Sequence, residues 1–178
     1  NQTLIQMLLT NDDKLSTFTY EGSGRSEASQ WGGKETRMSI NSKSKETRAF
    51  EYTEDVKDSS GKIIHKKGDI VTQNMKSKYT LAHEIIHGNI IKSGMQSFYQ
   101  NNELDDKRNP LPVYQRHPDG TFHDVKDLEE LSTVGITAYK KVVINNKETY
   151  VKITDKQIEP NVNMIRAEHG EKVKRVVY

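Results

Sequence analysis

Hydrophobic and polar positions along the chain change their period several times, and each change predicts an element. Residues 15–20, Leu15-Ser16-Thr17-Phe18-Thr19-Tyr20, alternate and are rich in threonine and aromatic residues, which predicts a strand. Gly22, Gly24, Gly32 and Gly33 mark a loop. Residues 37–41 and 49–53 predict two more short strands. Asp58-Ser59-Ser60-Gly61-Lys62 has the composition of a turn. Ile63-Ile64 and Asp69-Ile70-Val71 follow it, and together they predict a hairpin. From about Asn74 to Ile91 the spacing becomes helical, and Gly94 closes the helix. Residues 95–122 contain Asn101-Asn102, Pro110, Pro112, Pro118 and Gly120 and read as a long loop, a kind of segment that is often functional. Residues 124–140 predict a second helix with Leu128, Leu131 and Ile136 among its apolar positions. A hairpin around Asn145-Asn146-Lys147 is expected over 141–153, a short helix over 161–168 and a strand over 173–178. The apolar patch at residues 4–9 suits one or two helical turns. No repeat or low-complexity segment interrupts this order.

Composition narrows the picture in a few places. With 178 residues, one domain over 1–178 is expected. Apolar residues at 33% and charged residues at 29% imply a small core under a heavily polar surface. A net charge of +2 is too mild to argue for a nucleic-acid partner or an anionic membrane. The absence of cysteine excludes disulfides and cysteine catalysis. No stretch approaches the roughly 20 apolar residues of a membrane span. Because the chain begins at Asn1 rather than Met, it is expected to be a processed piece, the C-terminal part of something longer.

The chemistry is concentrated in the first helix. Tyr79-Thr80-Leu81-Ala82-His83-Glu84-Ile85-Ile86-His87-Gly88 contains H-E-x-x-H. Histidines at i and i+4 lie on one helical face about one turn apart, so both imidazoles can reach a single ion at the ~2.0–2.1 Å of a zinc–nitrogen bond. Glu84 lies beside them, where it can act as general base. Leu81, Ala82, Ile85, Ile86, Ile90 and Ile91 surround the motif with apolar positions, so the helix should be buried. A buried His–Glu–His cluster without a metal would be costly. The alternative is an ordinary helix with two partly exposed histidines. A catalytic zinc has three protein ligands and an open position. The third ligand is not in the motif. Asp127, Glu129 and Glu130 on the second helix are candidates, with His117 and His123 as rivals.

His83-Glu84-Ile85-Ile86-His87 followed by Leu128-Glu129-Glu130-Leu131-Ser132-Thr133-Val134-Gly135 resembles the paired active-site segments of clostridial neurotoxin light chains. The chain is more similar to the NleD-type family of bacterial effector and toxin metalloproteases. That family shares H-E-x-x-H, an E-E-x-x-T-V-G segment, and a tail with N-x-x-R and R-x-x-Y. Here the tail reads Asn163-Met164-Ile165-Arg166 and then Arg175-Val176-Val177-Tyr178. The motifs cover about residues 78–178; the first 70 residues carry none of them.

The fold expected is zincin-like α+β: a small twisted, mainly antiparallel sheet, the H-E-x-x-H helix beneath it, and a second helix bringing the third ligand. The resemblance adds site roles. It implies Zn2+ held by His83, His87 and Glu129, with Glu84 as catalytic base. Glu130 would brace a ligand or the tail arginine, and Arg166 would support the site or serve as a structural ion-pair partner. Arg175 and Tyr178 would meet the substrate carbonyl or the oxyanion. It implies a zinc endopeptidase secreted and delivered into a target cell, where it cuts a protein; a toxin domain would also have a cognate immunity protein. Competing readings are a nuclease toxin, a metal-binding domain without protease activity, and an interaction domain without metal.

Overall fold

The computed structural model describes residues 16–21, 26–31, 35–41, 46–99, 107–109, 111–125 and 127–178. The chain is α+β with mainly antiparallel sheets. Strands β1 (Ser16–Glu21), β2 (Glu27–Trp31) and β3 (Glu35–Asn41) form one sheet in the order β1-β3-β2, where β1 and β3 run parallel. β4 (Thr47–Tyr52) is followed by the short pair β5 (Val56–Lys57) and β6 (Ile63–His65), then β7 (Ile70–Asn74). Helices α1 (Ser77–Ser93) and α2 (Gln96–Tyr99) come next. β8 (Val113–Arg116), β9 (Phe122–Val125), α3 (Leu128–Val134), β10 (Ala138–Ile144), β11 (Lys147–Lys152), α4 (Val162–Glu168) and β12 (Val173–Arg175) complete the order. Two further antiparallel sheets have the orders β11-β10-β8-β9 and β12-β4-β7. The described strands are thus divided among several small sheets, rather than forming the one sheet expected.

Two apolar clusters hold the two site helices. One face of α1, Tyr79, Ala82, Ile86 and Ile90, packs against Ile158 and against Val162 and Ile165 of α4. These four positions of α1 recur at spacings of three and four, which places them on one side of the cylinder. α3 buries Leu128, Leu131 and Val134 against Val113 of β8, Ala138 of β10 and Ile136. α1 also lies against β2 and β3, and it touches α3. Among the described residues, no helix is long and apolar enough to cross a membrane.

Both site helices end in the same way. Gly94 (φ 71°) terminates α1, with bonds from the Gly94 N–H to Ile91 and from the Met95 N–H to Ile90. Gly135 (φ 85°) terminates α3, with bonds from Gly135 and Ile136 back to Leu131. These left-handed stops satisfy the last carbonyls of each helix. Asp127 starts α3 by accepting the Glu129 N–H at 3.0 Å. At Gly135 a Cβ would also lie 2.2 Å from Oδ1 of Asn161, the side chain that caps α4 by accepting the Met164 N–H.

Several expectations change. The second helix is much shorter than 124–140: Leu128–Val134 is helical, while Phe122–Val125 and Ala138–Ile144 are strands. Those flanks pair in one sheet with β8, and tertiary pairing overrides the local period. The turn at Asp58–Lys62 joins β5 to β6, whereas β7 pairs with β4. β8 lies inside the stretch read as a loop, and β2 lies between the glycine pairs. The hairpin at Asn145-Asn146 is as expected, with both asparagines at positive φ, 51° and 60°. The apolar patch at residues 4–9, the four glycines at 22–33, and Asn101, Asn102 and Pro110 lie outside the described residues.

Candidate metal centre

Where α1 meets α3, Nε2 of His83, Nε2 of His87 and Oε2 of Glu130 form a nearly equilateral triangle. The two nitrogens are 3.1 Å apart, and the carboxylate oxygen lies 3.0 Å from His83 and 3.2 Å from His87. Three donors at ~2.0–2.1 Å from one tetrahedral ion stand ~3.3–3.4 Å apart, so the observed triangle is only slightly tighter. Two imidazoles and a carboxylate are an ordinary donor set for a divalent cation. His83, His87 and Glu130 can hold a metal ion.

The carboxylate of Glu129 points elsewhere. Its Oε1 lies 2.8 Å from Nδ1 of His87, and the residue is 5% exposed. An ionised carboxylate accepts only, so the bond assigns a proton to Nδ1. In the neutral ring this leaves Nε2 with a lone pair facing the Glu130 oxygen. Two lone pairs opposed at 3.2 Å require a positive charge between them, either a proton or a cation. Burial opposes a charge on His87, but its hydrogen bonds to Glu129 and Glu130 outweigh that and push its pKa up to about 10. Burial raises the Glu130 carboxyl, yet the two histidines beside it hold it well below the usual carboxylate range. Burial pushes His83 down. A metal and a proton would compete for the same place between these donors, so uptake should release acid.

No known protein family, curated protein or solved structure matches the chain.

The triangle opens onto a cavity of roughly 900 Å³. Glu84, buried at 6% exposure, lines the same cavity, as do Arg175 and Tyr178. The Tyr178 hydroxyl donates to Oε2 of Glu130 at 2.6 Å. Burial and the Glu130 charge hold the phenol above its ordinary pKa. Arg175 is buried; its Nε donates to the Val177 carbonyl at 2.8 Å and its guanidinium sits 4.8 Å from the Tyr178 ring centre. Burial, then the nearby Arg48 charge, push Arg175 down to about 10. Arg48 and Glu46, which pair with each other, line the cavity too and are site-wall residues that sequence motifs do not signal.

The structure therefore gathers Glu84, His83, His87, Glu129, Glu130, Arg175 and Tyr178 around one cavity. It departs from the expected division between the two glutamates: Glu130 faces both Nε2 atoms, and Glu129 stands behind His87. The physical reason is the rotation of α3 fixed by the packing of Leu128, Leu131 and Val134. Neighbouring residues on a helix point ~100° apart, so only one of the pair faces the triangle while the other meets the far side of the ring.

Arg166 lies outside this group. It is 1% exposed, and its guanidinium carbon sits 4.4 Å from the ring centres of both Phe50 and Tyr79. It thereby bridges Phe50 of β4 and Tyr79 of α1. The rival histidines, His117 and His123, stack on each other at 3.9 Å, with neither lining the cavity.

Proposed function

We propose that this chain is a zinc-dependent endopeptidase. The observation that supports it most is the triangle of His83, His87 and Glu130 with the buried Glu84 on the wall of the same cavity. A purely structural metal site has no use for a fourth, unliganding acid beside it. Zinc suits two imidazoles and one carboxylate with an open position, and supplies Lewis acidity that polarises a carbonyl and makes water more acidic.

The chain's own groups do the rest. The Glu84 carboxylate takes a proton from the attacking water as its oxygen adds to the scissile carbonyl carbon. It then returns that proton to the amide nitrogen as the C–N bond breaks. Arg175 lines the same cavity, where it can meet the negative charge that develops on the carbonyl oxygen, and Tyr178, beside the triangle, can do so by turning its hydroxyl from Glu130 to that oxygen. Glu129 keeps the His87 ring in the tautomer that presents Nε2. The polypeptide substrate lies in the cavity between the helices and the β2–β4 side.

The deciding experiment loads the purified chain with zinc and incubates it with a peptide library, with Glu84→Gln as partner. The expected result is one zinc in both proteins and a cleavage rate about 10²–10⁴ lower in the variant. Equal cleavage by both would remove Glu84 from the mechanism. We further propose a secreted bacterial effector or toxin that acts on a protein of the target cell, with an immunity protein in any producer that is itself susceptible. The shared motif order, H-E-x-x-H, E-E-x-x-T-V-G and R-x-x-Y, supports this.

A further inference from the structure

The segment that carries Arg175 and Tyr178 is held by two side-chain amides from different parts of the chain. On α4, Oδ1 of Asn163 accepts the Arg175 N–H at 2.8 Å, and its Nδ2 donates to the Arg175 carbonyl at 2.9 Å. One amide that meets both main-chain groups of one residue does what a neighbouring strand would do, and it closes the outer edge of β12. On β8, the buried Gln115 accepts the Tyr178 N–H at 2.8 Å through Oε1.

Tyr178 needs such a hold. The residue is 39% exposed, so burial alone does not fix it. Its hydroxyl meets Glu130 across 48 positions of sequence. That bond survives at an exposed side chain only if the backbone under it is already in place, because the entropy of a free segment would exceed what a single hydrogen bond contributes.

We infer that Gln115 and Asn163 are positioning residues of the metal centre: they fix residues 175–178 so that the Tyr178 hydroxyl braces the Glu130 carboxylate. The inference rests on His83, His87 and Glu130 being the metal donors. The two clamps differ in chemistry, which makes them separable. Gln115 acts only as an acceptor towards Tyr178, so a glutamate can replace it. Asn163 must accept and donate at once, so an aspartate, which only accepts when ionised, cannot.

The test uses the full chain labelled with 3-fluorotyrosine. The Tyr178 fluorine resonance is identified by its loss in Tyr178→Phe. In the metal-free protein, Gln115→Met and Asn163→Asp should move that resonance to the position of an exposed tyrosine and leave the other tyrosines in place. Gln115→Glu should leave it where it was. The two single-atom replacements decide the matter even if Gln115→Met fails to fold. With cobalt(II) as the probe, Gln115→Met and Tyr178→Phe should each raise the dissociation constant about tenfold, and the double variant should raise it no further. An unmoved Tyr178 resonance in both Gln115→Met and Asn163→Asp, or additive effects on cobalt affinity, would overturn the inference. Failure of the wild-type chain to bind cobalt would overturn the metal reading beneath it, while the fluorine spectra would still judge the clamp.

Discussion

Nδ1 of His87 and Oε1 of Glu129 lie 2.8 Å apart, and this contact leaves Nε2 as the nitrogen that faces His83 and Glu130. Adjacent glutamates thereby acquire different work. One is placed to share a metal, and the other fixes the ring that shares it.

Metal content separates the two roles. The wild type is expected to hold one zinc. Glu130→Ala should lose it, as should His83→Ala. Glu129→Ala should retain the site with an affinity lower by about 10- to 100-fold, the usual cost of losing a partner behind a ligating histidine. Competition with a chelator of known affinity measures all four. Loss of zinc from Glu129→Ala with retention in Glu130→Ala would reverse the assignment.

Gly135 is fixed by backbone and by space together. Its φ of 85° disfavours any side chain, and a Cβ there would run into Asn161. Gly135→Ala should therefore strain the end of α3 and loosen the cap of α4, for a loss of roughly 2–4 kcal/mol. Urea unfolding measures this, and a loss below about 1 kcal/mol would mean that the Asn161 cap moves aside freely.

Arg166 should matter for stability and not for metal. Both of its Nη atoms are buried without a hydrogen-bond partner among the described residues, so its hold comes from the two rings and from Nε to the Val173 carbonyl. Arg166→Ala should cost roughly 2–4 kcal/mol through lost packing. Arg166→Met should cost less, because it fills the space and removes the unpaired nitrogens. Zinc stoichiometry should be unchanged in both; a stable Arg166→Ala protein that cannot hold zinc would return this residue to the site.

Glu171 gives acid sensitivity away from the site. It lies 2.5 Å from Nζ of Lys76 and accepts from the Tyr79 hydroxyl at 2.9 Å. Burial raises its pKa, but these partners outweigh burial and lower it below the ordinary 4.5, while burial and Glu171 push Tyr79 up to about 12. A carboxyl whose folded pKa is depressed stabilises the fold above its unfolded pKa and loses that contribution as pH falls through the folded value. The stability gap between wild type and Glu171→Gln should be about 1 kcal/mol at pH 7, and it should close below pH 4.5. Thermal melts across pH 3–7 would show it; a gap that widens on acidification contradicts the sign.

The sequence made the local parts of this site readable and left the long-range parts hidden. His83, Glu84 and His87 announce themselves because one helix carries them, and Gly94 marks where that helix stops, whereas Gly135 falls inside the helix expected at 124–140. The strands Phe122–Val125 and Ala138–Ile144 were not readable, because Leu128, Leu131 and Ile136 suggest a helical period that spreads across both flanks. The order of Glu129 and Glu130 was not readable either. It depends on how α3 is rotated by its packing on β8 and β10, which the residues themselves do not encode locally. Gln115 gives no signal at all: its partner lies 63 positions away, and a glutamine in a strand looks like any polar position.

The three donors lie on two helices, with His87 and Glu130 separated by 43 positions of chain. A bound ion is therefore a staple across a long loop in a chain that has no cysteine with which to make another. Such a staple opens to acid or to a chelator and ignores reductants.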